Sequence, residues 1–321
     1  MIAAQSLGLR PLALRRSGLL PGLLMLIVAV ALNAWLQPKF FGAASLDGNI
    51  ATFAPTIMIC VAQALIVLSG ELDLSVGAGV SLINCVMASL PTDSVAGACG
   101  VAALALVLAV GLGVVNGVLV GFLGLPSLIA TFATGAIWFG MALALMPQPG
   151  GTIADPIGNF YGDTVGELPV PLLIVAAGMA LLVLLLRHRL GRRILAVGSN
   201  PVAAYRSGIP VPATKLLAYV AGWVLVFLSA LSISAQTLSG DARLGQTYTL
   251  TSVAAVVIGG ISLAGGRGSP WGALIGAVVL GIIANVIYFA GIPSIWQEFF
   301  KGVVIVAALA FMVIEQRRAV A

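Results

Sequence analysis

The chain has 321 residues, of which 60% are hydrophobic and only 8% are charged, and its mean hydropathy is +1.15. A soluble domain usually carries about 25% charged residues. This composition therefore excludes a soluble core and predicts one all-α integral membrane domain over 1–321. The net charge of +5 does not indicate nucleic-acid binding, because the basic residues lie in short gaps between apolar runs.

Ten apolar runs follow one another along the chain, at 19–36, 50–69, 76–90, 95–122, 126–146, 169–186, 214–236, 248–264, 270–290 and 299–314. About 20 residues of helix cross the hydrocarbon core, so we predict about ten transmembrane helices. The third, eighth and tenth runs are short by that measure. We expect their helices to be broken, half-buried or longer than these bounds. The first run follows three arginines, as in a signal peptide, but no small-residue cleavage site comes after it, so we predict a retained helix.

The basic residues predict the orientation of these spans. If the N-terminus is cytoplasmic and the sides alternate, the inside segments hold Arg10, Arg15, Arg16, Arg187, Arg189, Arg192, Arg193, Arg206, Lys215, Arg267, Arg317 and Arg318. Only Lys39, Arg243 and Lys301 remain outside. This positive-inside bias predicts that both termini, the tail 1–18 and the loop 187–213 are cytoplasmic and that the loop 147–168 is periplasmic.

A short internal repetition favours an inverted repeat. The sequence Gly-Leu-Pro-Ser at 124–127 recurs as Gly-Ile-Pro-Ser at 291–294, and each copy opens an apolar run. The first copy falls on the predicted cytoplasmic side and the second on the opposite side, as an inverted-topology repeat requires.

The cytoplasmic loop 187–213 contains the signals of a short helix. Asn200 suits the N-cap, Pro201 suits the first helical position, and Gly208 suits a left-handed residue after the helix. Ala203, Ala204 and Arg206 lie between these ends. The residues alone leave two interpretations open, a connector that rests on anionic lipid headgroups and a docking helix for a cytoplasmic partner.

Four segments of the chain resemble, in order, the permeases of the ribose, xylose, arabinose and galactose importers of the ATP-binding-cassette (ABC) family. They are 70–77 (Gly-Glu-Leu-Asp-Leu-Ser-Val-Gly), 126–134 with Ile-Ala-Thr at 129–131, the basic segment 191–200 with the residues up to 209, and the Gly-rich segment 254–268. The family often has a second glycine where this chain has Glu71, so the resemblance implies no role for Glu71.

The resemblance implies a permease in the bacterial inner membrane that carries a pentose or hexose. Its implied partners are a cytoplasmic ATPase that holds ATP and magnesium, a periplasmic sugar-binding protein, and a second permease copy or homologue within the bilayer. It also implies that the helix that begins after Asn200 docks on the ATPase.

Two glycine-containing motifs flank the predicted spans. In the first, Gly70, Asp73, Ser75 and Gly77 open the third span, where a carboxylate is favoured as a helix cap; a proton or cation site is the alternative. The second contains Gly259, Gly260, Gly265 and Gly266. It lacks the Lys and Ser or Thr of a phosphate-binding loop. We therefore expect no ATP bound by this chain and expect these glycines to permit close helix approach and sharp turns.

Polar side chains inside the apolar runs are candidates for a substrate path: Gln63, Asn84, Asn116, Thr131, Trp138 and Asn285, with Thr134 beside them. Such groups can hydrogen-bond the hydroxyl groups of a neutral solute, and they can equally join helices, at about 0.6–2 kcal/mol each. Both interpretations stay open.

Two other functions compete with the ABC permease. An ion-gradient-driven secondary transporter of a small neutral solute also uses broken helices and inverted repeats, but few carboxylates lie within the apolar runs. An enzyme is disfavoured, because the chain has one His and no acid–base or metal-like cluster. We expect no metal site. Cys60, Cys85 and Cys99 are interpreted as small hydrophobic residues.

Overall fold

The structure is a computed structural model that describes residues 19–293 and, beyond them, 296, 299–300, 302–303, 306–307 and 310. The helices are α1 (Leu19–Leu36), α2 (Ala43–Leu68), α3 (Val76–Ala88), α4 (Val95–Gly121), α5 (Ser127–Leu145), α6 (Asp155–Gly162), α7 (Val170–Arg187), α8 (Arg189–Ser199), α9 (Pro201–Arg206), α10 (Val211–Thr237), α11 (Gln246–Ile258) and α12 (Pro270–Phe289). A two-stranded hairpin of β1 (Thr164–Val165) and β2 (Leu168–Pro169) separates α6 from α7.

Seven of these helices, α1, α2, α4, α5, α7, α10 and α12, are long and apolar enough to cross a membrane. The prediction of an all-α membrane protein is confirmed. Each of the first nine apolar runs contains a helix. The third and eighth runs give the two short apolar helices α3 and α11, with 13 residues each. The tenth run, the tail 1–18 and the C-terminal residues lie wholly or partly outside the described residues, so the count of ten and the side of the termini stay predictions.

The centre of the bundle is the pair α2 and α10. In the most apolar stretch of α2, 78% of the residues are buried, against 17% for α1 at the periphery. Gly222 of α10 allows this close contact, because a Cβ atom there would lie 2.9 Å from the Ile66 side chain of α2. The Ser229 hydroxyl of α10 donates a hydrogen bond to the Pro55 carbonyl of α2, at 2.7 Å. Small residues and hydroxyls therefore join the two helices, as is usual in lipid.

Each central helix leads into a short helix through a left-handed residue. Gly70, with φ +87°, follows α2 and precedes α3. Leu238, with φ +53°, follows α10 and precedes α11. The two short helices pack crosswise, α3 on α10 and α11 on α2. The chain thus contains twice, in the same order, a long helix, a left-handed residue and a short helix.

Loops cluster at two opposite ends of the bundle. At the first end, the Gly266 N–H donates to the Leu68 carbonyl at 3.1 Å, and the Ser199 hydroxyl reaches the Gly266 carbonyl at 3.4 Å. At the second end, Gly150 and Gly240 exchange two backbone hydrogen bonds of 2.9 and 2.8 Å. The segments predicted to be cytoplasmic meet at the first end, and those predicted to be periplasmic meet at the second.

The segment 147–168 at the second end is ordered into α6 and the hairpin. The Tyr161 hydroxyl donates to the Ala51 carbonyl of α2 at 2.7 Å and accepts from the Gln236 amide of α10 at 3.1 Å. Burial raises the pKa of Tyr161 to about 12. The phenol therefore stays protonated at neutral pH and keeps donating this hydrogen bond, which fastens α6 to the two central helices.

Candidate functional site

Helix α9 begins and ends at the residues that the capping signals indicate. The Asn200 side-chain oxygen accepts a hydrogen bond from the Ala203 N–H at 2.9 Å, and Pro201 is the first helical residue. Gly208 follows the helix with φ +78°, in the left-handed region that favours glycine. A six-residue helix is not stable in isolation. Its two capped ends and its contacts with the bundle therefore stabilise it.

The two alanines of α9 face in opposite directions. Ala204 is 4% exposed and lies against the bundle, whereas Ala203 is exposed. Val202 is 60% exposed and Tyr205 is 73% exposed. Their spacing of three residues places both on one side of the helix. We call Val202, Ala203 and Tyr205 the α9 surface. Ala204 does not belong to this surface, because its side chain is buried between α9 and the bundle.

Helix α8, which the sequence analysis left as a basic segment, is strongly amphipathic. Its buried residues include Ile194 and Val197, and Arg192 and Arg193 are exposed on the other side. Gly191, Ile194 and Val197 follow one another at three-residue spacing and are buried, so this face meets the bundle and the arginines face away from it. Helix α8 therefore lies across the first end and holds the start of α9.

Glycines form a close junction at the end of α8. A Cβ atom on Gly198 would lie 2.0 Å from the Leu68 carbonyl oxygen at the end of α2 and 2.7 Å from the Gly266 nitrogen. A Cβ atom on Gly265 would lie 2.5 Å from the Gly70 α-carbon. Gly265 and Gly266 also have φ of +85° and +68°. We call Gly70, Gly198, Gly265 and Gly266 the glycine junction. It brings α2, α8 and the α11–α12 connection into backbone contact beside α9.

The other glycines of the second motif join α11 to α12. A Cβ atom on Gly259 would lie 2.0 Å from the Gly272 carbonyl oxygen, and Gly260 turns the chain with φ +74°. Close approach and a sharp turn are the two features expected of these residues. Nothing larger than hydrogen fits at Gly259 without a shift of backbone.

Glu71, the residue that departs from the family pattern, forms an ion pair with Lys215. The Lys215 ammonium and the Glu71 carboxylate lie 2.5 Å apart, with side chains 20% and 12% exposed. Lys215 belongs to the first turns of α10, so the pair joins the α2–α3 connection to that helix near the first end. A glycine at position 71 would leave Lys215 without this partner.

Asp73 is buried, and four donors surround its carboxylate. The Ser75 N–H and hydroxyl donate to Oδ1 at 2.8 and 2.6 Å, and Asn116 and Trp223 donate to Oδ2 at 3.2 and 2.9 Å. Hydrogen bonds to the charged form stabilise a buried carboxylate. Asp73 thus closes the turn before α3 and ties it to α4 and α10.

Two further candidates of the substrate path, Gln63 and Thr131, extend this network together with Thr134. The Thr134 hydroxyl donates to the Asn116 side-chain oxygen at 2.7 Å, and the Thr131 hydroxyl oxygen accepts from the Leu74 N–H at 2.9 Å. With its amide oxygen and nitrogen interchanged, the Gln63 side chain pairs with the carbonyl and the N–H of Asp73 at 3.2 and 3.3 Å. Gln63, Asn116 and Thr131 are completely buried, so these side chains join helices and do not line an opening.

Asn84 and Trp138 also lie within the bundle. The Asn84 amide donates to the Ser234 hydroxyl at 2.9 Å and to the Ser239 carbonyl at 3.1 Å, and its oxygen accepts from the Asp241 N–H at 2.8 Å. Asn84 therefore fixes the connection between α10 and α11. Trp138 is 8% exposed, and its indole N–H has no partner among the described residues.

Asn285 differs from the other five candidates, because it lies partly exposed at the second end. Its amide donates to the side-chain oxygen of Asn49 at 2.6 Å, which joins α12 to α2. Asn285 also lines a small cleft between α2, α11 and α12. Of the six candidates for the substrate path, it is the one whose position is open to a solute.

The short helices α3 and α11 cross within the bundle at two glycines. A Cβ atom on Gly77 would lie 2.3 Å from the Gly245 carbonyl oxygen. Reciprocal hydrogen bonds surround the contact, from the Gly77 N–H to the Thr249 hydroxyl at 3.2 Å and from the Gly245 N–H to the Ser81 hydroxyl at 2.8 Å. Discontinuous helices that meet within the membrane are typical of transporters.

Sequence reasoning did not single out Trp223, although it lies at the centre of the network. Its ring packs between α3 and α4, where a Cβ atom on Gly79 or Gly113 would lie 2.3 or 2.9 Å from it. Glycines of different helices that share one aromatic neighbour leave no periodic signal in a Gly-rich chain. Within the described residues, no group of three or more His, Cys, Asp or Glu side chains is placed to hold a metal ion.

The apolar helices, the paired short helices and the buried polar network define a multi-pass membrane protein. A family model described as "Branched-chain amino acid transport system / permease component" matches residues 45–309. The chain belongs to this family, within the permeases of ABC-type sugar importers that it was found to resemble. It is a multi-pass protein of the bacterial inner membrane.

Named relatives cover most of the chain. The ribose import permease protein RbsC of Escherichia coli K12 is 34% identical over 294 residues, which are 89% of this chain and 91% of the relative. RbsC of Bacillus subtilis is 32% identical over 90% of this chain and 89% of its own length. The D-allose transport system permease protein AlsC of E. coli K12 is 29% identical, over 89% of each chain. No solved structure matches the chain.

Proposed function

We propose that this chain is the membrane-spanning subunit of an ABC importer that carries a monosaccharide into the cell, with ATP hydrolysed by a separate cytoplasmic subunit. The observation that carries the proposal is the similarity to ribose and allose permeases over about nine-tenths of the chain. A periplasmic sugar-binding protein delivers the solute, and a second permease copy or homologue completes the transporter.

The proposed topology has ten spans with the first end in the cytoplasm. The support is the clustering of the predicted cytoplasmic segments at that end, with most of the basic residues among them. We also propose an inverted repeat that relates α2 and α3 to α10 and α11. The crosswise packing of α3 on α10 and of α11 on α2 supports it.

The α9 surface is proposed as the docking site of the ATPase. Val202 and Tyr205 are exposed at the first end, where no lipid hydrocarbon covers them in this topology. The glycine junction lies directly before α9, so a force on α9 reaches the ends of α2 and α11 through backbone contacts. A docking helix with this placement couples ATP-driven closure to the membrane helices.

The polar groups favour a neutral sugar over an amino acid. An amino acid carries a carboxylate and an ammonium group, and both lose hydration at high cost without charged partners. The residues that line the cleft at the second end carry hydroxyl and amide groups and no charge. The secondary-transporter alternative is disfavoured as well, because the Asp73 carboxylate already has four donors.

The docking proposal is tested by Val202→Glu and Tyr205→Glu in the permease expressed with its ATPase. Each places a charge in an apolar contact, where an unpaired charge costs several kcal/mol. We expect normal membrane abundance with loss of ATPase copurification and of sugar uptake.

Val165→Glu is the matched control, an exposed valine at the second end, 58% accessible. It should leave copurification unchanged. Full copurification with both α9 variants would contradict the docking role. Ala204→Glu does not serve here, because Ala204 is buried and the variant would damage the permease itself.

A further inference from the structure

A small cleft opens at the second end of the bundle, between the first half of α2, the start of α11 and the last turns of α12. Its volume is about 180 Å³. Six polar side chains line it together with Phe53, Leu280, Gly281 and Ala284: Thr52, Thr56, Thr247, Tyr248, Thr251 and Asn285. Pockets for drug-sized ligands measure about 300–1,000 Å³, so this cleft suits a smaller molecule.

The threonines of the cleft present hydrogen-bond acceptors. The Thr52 hydroxyl donates its proton to the Gly48 carbonyl at 2.8 Å, and the Thr251 hydroxyl donates to the Thr247 carbonyl at 2.7 Å. A hydroxyl has one proton to donate and two lone pairs that accept. With their protons directed to their own helices, both oxygens are suited to accept from the hydroxyl groups of a solute.

A polar lining is unusual for a cleft between membrane helices. Polar groups in contact with hydrocarbon cost free energy unless they are hydrogen-bonded, and most polar side chains of this bundle are paired inside it. Gln63 and Asn116, for example, are fully buried and bonded to the Asp73 turn. Thr52 and Thr247, in contrast, are exposed.

We infer that this cleft is a contact site for the transported solute, a neutral monosaccharide, as it enters from the periplasmic side. Sugar hydroxyls donate to the oxygens of Thr52, Thr251 and Asn285, and the ring lies over Phe53. The inference rests on the proposed function and adds to it the residues that recognise the solute. It assigns the substrate path to the surface between α2, α11 and α12 and not to the buried amides that the sequence offered as candidates.

The test is the double variant Thr52→Val with Thr251→Val in the complete transporter in proteoliposomes. The probes are radiolabelled D-ribose, D-allose, D-xylose, L-arabinose and D-galactose. Valine keeps the shape of threonine and removes the hydroxyl, so we expect at least a tenfold loss of uptake rate for the sugar that the unmodified transporter carries, with ATPase copurification unchanged. Serine at both positions should restore most of the rate, because it restores the hydroxyl.

Thr214→Val is the matched control. Thr214 is a buried threonine at the other end of the bundle, and its hydroxyl donates to the Pro210 carbonyl of its own helix at 2.8 Å. We expect uptake within twofold of the unmodified transporter. An equal loss in this control would show that the effect comes from helix packing and would overturn the inference.

A cysteine at position 251 tests access independently of transport. In a Cys99→Ala background, Thr251→Cys should react with a membrane-impermeant maleimide added from the periplasmic side. Saturating transported sugar with its binding protein should slow the reaction at least threefold. A cysteine that does not react would mean that another helix or copy covers the cleft, and one that reacts equally fast with sugar present would mean that the solute does not contact it. Either result would overturn the inference.

The two proposals fail in different ways. If the unmodified transporter takes up none of the five sugars with ATP, the proposed function fails and the inference with it. If the unmodified transporter takes up a sugar and the double valine variant does so at the full rate, only the cleft assignment is wrong.

Discussion

Gly198→Ala tests the close backbone contact at the glycine junction. The added methyl group would lie 2.0 Å from the Leu68 carbonyl oxygen and 2.7 Å from the Gly266 nitrogen, closer than real Cβ atoms come. These two atoms are hydrogen-bonded to each other at 3.1 Å. The methyl group therefore forces two backbone segments apart and breaks the bond between them.

The expected cost follows from these two effects. Overpacking a close contact costs about 1–3 kcal/mol, and a lost hydrogen bond adds about 1 kcal/mol, which gives about 2–4 kcal/mol. In a protein of this size, we expect the midpoint of thermal unfolding in detergent to fall by roughly 5–10 °C. Because α9 follows Gly198 directly, sugar uptake in proteoliposomes should fall by a larger factor than the amount of folded protein.

Gly100→Ala is the control for this prediction. Gly100 lies inside α4, and a Cβ atom there has no neighbour within 4 Å. Alanine is favoured over glycine inside a helix by about 0.5–1 kcal/mol, so the unfolding midpoint should stay level or rise slightly. If Gly198→Ala unfolds and transports like Gly100→Ala, the glycine junction is not the close backbone contact described here.

Three further predictions concern the ion pair, the topology and the energy source. In a double-mutant cycle with Glu71→Gln and Lys215→Met, each single change should lower the free energy of unfolding by about 1–3 kcal/mol. The double change should cost less than the sum of the two, with a coupling of about 1 kcal/mol. Strict additivity would show that the 2.5 Å contact contributes nothing to stability. In a Cys99→Ala background, Asp155→Cys should react with an impermeant maleimide from the periplasm and Ser207→Cys from the cytoplasm, and labelling from one side alone would refute the proposed topology. Sugar uptake should persist when the proton gradient is collapsed and ATP is maintained, and its loss would support a secondary transporter.

The membrane helices were predictable from the sequence because their length and hydropathy are set locally by the bilayer. The first run, 19–36, coincides with α1, the run 76–90 contains α3, and the run 248–264 overlaps α11, which begins two residues earlier. The capping of α9 was predictable for a similar reason, since the signals at Asn200 and Gly208 act within one or two turns.

The partners of polar side chains were not predictable from the sequence. Asn116 and Trp223 bond to Asp73 across separations of 43 and 150 residues, which no local pattern encodes. The orientation of Ala204 was equally hidden, because α9 is too short for its hydrophobic period to show which side meets the bundle. The ion pair of Glu71 was also not predictable, because its partner Lys215 lies 144 positions away and no sequence motif links the two residues.

The crossing of α3 and α11 limits how the bundle can move. Their backbones touch at Gly77 and Gly245, and the two reciprocal hydrogen bonds leave no room for one helix to slide along the other. Rotation about the contact remains, with the glycines as a pivot and each helix as a lever. A 13-residue helix is about 20 Å long, so a turn of roughly 10° would displace its far end by about 3 Å. A rotation of that size would therefore displace both ends of the bundle while the two glycines stay in contact.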